Sequence, residues 1–312
     1  MIYYPVHSGY PPYTEVNRVI EAVFAEHGRG DARMPPKVYV ELVGSGDFRT
    51  MPAYLPELGL AGVKIVNVNP HNRARGLPTV MALTVFIDVE TGAPKAIINS
   101  TELTAMRTGA AGAVAARYLA PRQTIALGVI GAGRQSEALV EATIAALAVE
   151  EIRVWSRTEK HAEAFAARYE EYNARSVSIE HACDCDVLTT ATPSITPLIM
   201  AEWIHDGTHI NAIGADAPGK QELDPVLLQE AEVFVDDRSQ AIHSGEINVP
   251  VSTGRYDPDR LTGTLGEVVT GKKGRSSLDA ITIFDSTGLA IQDLAIAALA
   301  VQGSEGYKLP FP

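Results

Sequence analysis

The chain has 312 residues, enough for one large or two medium domains, with 46% hydrophobic and 21% charged residues, the usage of an ordinary soluble globular protein. A formal charge of −12 excludes the broad basic face that nucleic acid or an anionic membrane surface requires, and leaves room only for a local basic pocket that takes a small anion.

In chain order, the opening MIYYPVHSGYPPY has neither the basic nor the apolar region of a signal peptide. Residues 14–27 set Val16, Val19, Ile20, Val23 and Phe24 at helical spacing, with Thr14 as the N-cap. Beyond Pro35 and Pro36, segments 37–43, 62–68, 79–88 and 94–99 read as strands, rich in Val, Ile and Leu and broken by Gly and Pro. An Ala-rich helix over 101–119 follows, so the first 120 residues predict an α+β unit made mostly of strands. Arg107 interrupts that helix where burial is expected and an unpaired cation is costly, which marks it as functional.

From residue 125 the pattern alternates. Strands are expected at 125–130, 152–156, 187–191, 208–213, 232–236 and 281–284, and helices at 134–149, 159–172, 224–231 and 289–301. That alternation predicts an α/β fold, a Rossmann-type doubly wound parallel sheet over 121–289. The last helix is expected to return to the first unit, which would then comprise 1–120 plus about 290–312. Cys183 and Cys185, one residue apart, cannot form a disulfide framework, and no C-x-x-C or H-E-x-x-H spacing points to a metal. No apolar run approaches a membrane span, so the expectation is a cytoplasmic enzyme without metal, nucleic acid or membrane partner.

LGVIGAGRQ over 127–135 is an apolar strand breaking into Gly131 and Gly133, the turn that hands a dinucleotide pyrophosphate to a helix N-terminus. Ser136 replaces the third glycine of the fingerprint. At the end of the second strand, Ser156, Arg157 and Thr158 stand where an acid would select NAD, so NADP(H) is favoured over NAD(H); the plainer reading makes Arg157 a solvated helix terminus. Thr190 ends a strand with a small hydroxyl side chain suited to a ribose. The loop after the 208–213 strand carries Asp216 and Lys220 between Gly and Pro punctuation. Asp216 lies too far from the helix near Asp224 to cap it.

Together MPPKVYVEL (34–42), FRTMP (48–52), GVKIVNVNPHN (62–72), GLPTVMAL (76–83), TAMRTGAAGAVAARYLA (104–120), GVIGAGRQ (128–135), IGADAPGKQELD (213–224), HSGEIN (243–248), TLGEVVTG (264–271) and FDSTGLAIQD (284–293) resemble the ornithine cyclodeaminase/μ-crystallin family, nearest its archaeal alanine dehydrogenase branch. The resemblance runs from about 15 to about 300; the extreme N-terminus departs from it, without the family's opening strand and short helix. It implies a homodimer whose N-terminal domain binds substrate and dimerises, with the active site between that domain and an NAD(P)-binding domain. It implies that Lys64 contacts the substrate carboxylate and moves a proton, that Asp216 is the catalytic aspartate, and that Arg107 meets both the carboxylate and the cofactor phosphate. It further places Lys37, Arg49 and Thr287 near the substrate, and Thr79, Arg134, Gln135, Ile213, Gly214, Ala215, Lys220 and Ser286 at the cofactor.

Such chemistry removes hydride from Cα of a small amino acid and hydrolyses the imine, or runs in reverse on a 2-oxo or cyclic imino acid. An arginine fork suits the carboxylate, and either Lys64 or Asp216 could carry the proton. The first alternative is an ornithine cyclodeaminase, which needs an acid for the distal ammonium; relatives of that kind are expected to carry one just before the Met-Pro, where this chain has Arg49 and Thr50. The second is an NADPH-dependent binding protein without turnover, which the cations Lys37, Arg49, Lys64 and Arg107 disfavour. Glu102, Glu222 and Glu267 read as helix-end or surface acids, and the KKGR run at 272–275 as an exposed turn.

Overall fold

The computed structural model describes residues 1–6 and 9–311. They form two compact units, Met1–Arg107 with Leu289–Pro312, and Thr108–Gly288.

The first unit begins with β1 (Ile2–Tyr4) and α1 (Tyr13–Arg29), followed by β2 (Val38–Leu42), β3 (Gly46–Leu55), β4 (Leu60–Val68), β5 (Val80–Ile87) and β6 (Pro94–Asn99). Helix α2 (Thr101–Leu119) carries the chain into the second unit. That unit contains β7 (Thr124–Ile130), α3 (Arg134–Ile144), β8 (Ala148–Trp155), α4 (Glu159–Ala166), β9 (Arg175–Ser176), α5 (Ile179–Cys183), β10 (Val187–Thr190), β11 (His209–Ala212), α6 (Pro225–Glu230), β12 (Glu232–Val235), α7 (Arg238–Ser244), α8 (Asn248–Ser252), β13 (Gly263–Thr264), α9 (Leu265–Val269) and β14 (Thr282–Asp285). Helix α10 (Ala290–Ala300) and β15 (Tyr307–Lys308) belong again to the first unit.

The first sheet runs β15-β1-β6-β5-β4-β3-β2, antiparallel except where β1 lies parallel to β6. Alternation along β3, β4 and β5 gives it one buried and one open face. Two registers on the buried face carry its cations. One aligns Tyr39, Arg49, Val66 and Ala82 across β2 to β5, and the other aligns Met51, Lys64, Thr84 and Ile98 across β3 to β6. Helix α10 packs over β3, β4 and β5 and against α1. The open face carries an apolar row in which Val38, Thr50, Ile65 and Leu83 stand opposite one another, with Val38 56% exposed and Leu83 43%.

Three local expectations change here. The N-terminus does contain an opening strand: three residues are too few to show a period, and β1 exists because β6 and β15 pair with it. Strand β3 is not foreseen because Pro52 sits inside it; its pairing with β2 ends at Thr50, so no β2 partner opposite Pro52 needs the missing N–H. Pro12 rather than Thr14 is the N-cap of α1.

The second sheet is parallel throughout, in the order β13-β12-β14-β11-β10-β7-β8-β9. From β7 the chain builds outward through β8 and β9, then returns to β10 on the other side of β7. That reversal opens the crevice at the carboxyl ends of β7 and β10. Small residues in α2 bring the helix layer close. A Cβ on Gly109 would overlap the Ala138 carbonyl of α3, and Gly112 faces Leu139 and Asn211, whose Nδ2 donates to the Gly112 carbonyl at 3.1 Å. Gly109→Ala should therefore lower stability by about 2 kcal/mol or more through forced separation of α2 and α3. Gly274→Ala, which meets nothing within 4 Å, should stay within about 0.5 kcal/mol in the same thermal or urea unfolding measurement.

Candidate active site

In the first unit a cluster of charges is buried beneath α10. Lys64, on β4, is 1% exposed, and its Nζ donates to Asp293 Oδ1 at 2.6 Å. The same oxygen accepts from Arg107 Nε at 3.0 Å, and Arg107 Nη1 donates to Gln292 Oε1 at 3.2 Å. Gln292 Oε1 also accepts the Leu289 N–H at 3.0 Å, so the start of α10 and the guanidinium are fixed by one amide. Two of the three guanidinium nitrogens, Nε and Nη1, are committed in this way.

Burial drives the Lys64 amine down from its ordinary value to about 7. Asp293 opposes that drop, while Arg107 and Lys37 add to it. An amine near neutrality exchanges a proton readily in either direction. Lys37, half-buried just before β2, is thereby close enough to act on Lys64 electrostatically.

Arg49 is 4% exposed and bidentate on Asp47, with Nε to Oδ1 at 2.7 Å and Nη2 to Oδ2 at 3.2 Å, and its guanidinium lies 5.0 Å from the Tyr39 ring centre. The Met-Pro that follows it lies inside β3. The charge at this position is thus matched locally, which softens the repulsion expected from a bare arginine. Asp47, in turn, is committed to Arg49 and offers no uncompensated carboxylate to a distal ammonium. Thr79 lies just before β5, its carbonyl accepting the Asn69 N–H at 2.8 Å.

In the second unit, β7 ends at Ile130 and the chain turns through Gly131, whose φ of +109° only glycine adopts without strain. Its N–H donates to the Trp155 carbonyl at the end of β8, at 2.8 Å. Gly133 is the N-cap of α3; no side chain caps that helix, and a Cβ at Gly133 would meet nothing within 4 Å. The open helix start, with the Ser136 hydroxyl buried and unpartnered beside it, fits a dinucleotide pyrophosphate. Arg134 is exposed and pairs with Glu137 at 3.1 Å. Ser156, Arg157 and Thr158 follow β8, the first half-buried and the others exposed.

The remaining crevice edge is organised by buried carboxylates. Glu222 accepts from Thr190 Oγ1 at 2.7 Å, from the Thr192 N–H at 2.7 Å and from the Gly214 N–H at 2.8 Å. Thr190 is therefore turned toward Glu222, and a side chain on Gly214 would strike that carboxylate. Glu246 accepts the Glu222 and Leu223 N–H groups, and Asp285 those of Glu246 and Ile247. Asp236 accepts the Gly288 N–H at 2.6 Å and the hydroxyls of Ser286 and Thr287 at 3.3 and 3.1 Å. Burial raises the proton affinity of Glu222 and of Glu246, the latter further through Glu222 and Asp285. Ile213 and Ala215 are buried at the end of β11, Ile213 donating its N–H to the Thr190 carbonyl at 3.0 Å. Asp216 and Lys220, each partly exposed, pair at 2.5 Å, and Asp224 caps α6 with its own side chain.

Two surface expectations are corrected. Glu222 is fully buried, because loop backbone donors rather than water satisfy it. Arg275, at the end of the KKGR run, donates to the carbonyls of Leu119, Gly207, Ser277, Leu278 and Ala280 and is structural. Glu267 does sit at a helix end, closing a capping box with Thr264. Asp293, Gln292, Asp47 and the carboxylates at 236, 246 and 285 are additions to the residues named from sequence. Asp293 carries the same signal as Arg107, a charge inside an apolar helix. Among the described residues no group of three or more His, Cys, Asp or Glu could hold a metal ion, and no helix is long and apolar enough to cross a membrane.

Glu222→Ala strips the acceptor from Thr190, Thr192 and Gly214 together. Unfolding measurements should show a loss of about 3 kcal/mol or more.

Comparison with known proteins agrees with this geometry. A sequence profile of the ornithine cyclodeaminase/mu-crystallin family matches residues 12–304. The chain is 47% identical over 305 residues to the alanine dehydrogenase of Archaeoglobus fulgidus, covering 95% of this chain and 94% of that one. Among solved structures, an archaeal alanine dehydrogenase dimer with bound NAD superimposes with a TM-score of 0.95 at 44% identity, covering 100% of this chain and 99% of that one. The Δ1-pyrroline-2-carboxylate reductase of Thermococcus litoralis, in complex with NADH and L-proline, gives 0.93 at 32% identity, covering 99% and 100%. The chain belongs to the ornithine cyclodeaminase/mu-crystallin family.

Proposed function

We propose that this member of the ornithine cyclodeaminase/mu-crystallin family is an NAD(P)-dependent alanine dehydrogenase, interconverting L-alanine with pyruvate and ammonia. The observation that carries the reading is the buried Lys64 amine, held near neutrality beside the arginine fork of Arg107. A nicotinamide bound here would supply the hydride transfer to and from Cα. Arg107 holds the substrate carboxylate, with Lys37 adding positive charge, which orients Cα–H. Neutral Lys64 takes the proton of the substrate ammonium. As water adds to the iminium carbon, Lys64 returns that proton to the nitrogen and takes one from the water. The hydroxyl proton leaves with the nitrogen as ammonium, so the one proton left on Lys64 is released to solvent. Asp216, paired with Lys220, stabilises the positive charge of the iminium. Thr287 is assigned a substrate contact, and Arg49, matched by Asp47, offers no acid to a second ammonium.

The cofactor is held by Gly131, Gly133, Arg134 and Gln135 at the pyrophosphate, and by the edge built from Thr190, Ile213, Gly214, Ala215, Lys220 and Ser286, with Thr79 and Arg107 as further contacts. NADP(H) is favoured over NAD(H), because β8 ends without an acid and Ser156, Arg157 and Thr158 supply donors for a 2′-phosphate.

The test is oxidation of NADPH or NADH, followed by nicotinamide absorbance, with pyruvate and ammonia. Turnover on pyruvate, faster with NADPH, is expected; ammonia release from ornithine without net nicotinamide change would instead make the protein a cyclodeaminase. In the alanine-oxidising direction Lys64 must be neutral, so kcat/KM should fall about tenfold per unit as pH drops below about 7. In the reductive direction it must be charged, and the fall should come above that value.

The apolar row on the open face of the first sheet supports a homodimer through that face. Light scattering should report a dimer for the native chain, and Leu83→Glu should shift it to monomer.

A further inference from the structure

Asp293 stands in α10 among Ala290, Ile291, Leu294, Ala295, Ile296 and Ala297, all buried, and is itself 1% exposed. A carboxylate costs stability at such a position unless it is matched. It is matched twice by one atom: Oδ1 receives the Lys64 amine from β4 and Arg107 Nε from α2. The neighbouring residue, Gln292, takes the adjacent Arg107 nitrogen. Successive residues of one helix thus grip the two cations to which the proposed activity gives the proton and the substrate carboxylate.

We infer that Asp293 is the positioning residue of this site: its shared oxygen sets the distance and orientation between the Lys64 amine and the Arg107 fork, and its charge holds a proton on Lys64. The roles of Lys64 and Arg107 rest on the proposed dehydrogenase function; the grip on them does not. Among the described residues, the charged groups that act most strongly on the amine are Asp293 from α10, Arg107 from α2 and Lys37 from the segment before β2. Of these three, Asp293 favours the charged form, against burial and the two cations. Arg49 lies one register along the same face and is matched by Asp47. Thr84, opposite Lys64 on β5, bonds Ser100 at 2.7 Å and carries no charge. Asp293 is therefore the removable carboxylate that opposes burial at Lys64.

The test reads the amine directly. The chain has eight lysines, so 13Cε-lysine NMR can assign Lys64 by comparison with Lys64→Arg. Its titration midpoint is then followed in native protein, in Asp293→Asn and in Gln292→Glu, which adds a carboxylate beside Arg107. The expected result is a midpoint lower by about one unit or more in Asp293→Asn and higher in Gln292→Glu. The acid limb of kcat/KM for alanine should move with each midpoint. In Asp293→Asn the loosened fork should raise KM for alanine about tenfold or more. If Asp293→Asn does not fold, the upward shift in Gln292→Glu carries the test. A Lys64 midpoint unmoved in every variant that folds would overturn the inference. Midpoints that move as expected in a protein without alanine turnover would support it and reject the proposed activity instead.

Discussion

The first unit depends on one constraint: two cations under an apolar helix need a counter-charge, and Asp293 is placed to be shared between them. A buried carboxylate shared by an amine and a guanidinium is not chiefly a source of stability, since the desolvation of three charges offsets most of the attraction. Its effect is on specificity of arrangement. Removing one member leaves the others unmatched in a low-dielectric setting, at a cost of about 3–5 kcal/mol, so the sheet and α10 are held to a single register. The same balance keeps the lysine near neutrality, with burial pulling its proton affinity down and the carboxylate pulling it up.

The second unit meets the same problem with the opposite sign. At the carboxyl edge of its parallel sheet the strands end in loops whose N–H groups have no ladder partner. Glu222 accepts from the loops after β10 and β11, Glu246 from the loop after β11, Asp285 from the turn between α7 and α8, and Asp236 from the loop after β14. Fully buried, these carboxylates are rigid acceptors rather than solvated charges, and the loops they hold are those that face the crevice. Backbone donors at α3 stay open where Gly133 leaves room. One crevice edge is thereby saturated with internal hydrogen bonds while the helix start beside it is kept for an anion.

Much of this was legible in the sequence. The alternation of strands and helices after residue 125 predicts the parallel sheet, and an Ala/Gly-rich helix predicts close packing. A cation in the middle of that helix, at Arg107, draws attention where burial is expected. Strand β3 escaped because Pro52 reads as a break, and only the end of its pairing with β2 shows why a proline is tolerated there. Strand β1 escaped because three residues have no period. Glu222 read as a surface acid because nothing local reveals that backbone donors distant in sequence will surround it.

What the sequence determined by itself is what periodicity and residue chemistry encode locally: the fold class, the glycine turn after β7, and the residue types from which a carboxylate site can be built. What only the tertiary structure decided is which of those groups share a charge. Lys64 and Arg107 are joined by Asp293, 229 residues from the one and 186 from the other. No window of sequence contains that contact. It arises because α10 returns to cover β4, and proton affinity depends on the charges and burial that such a return creates.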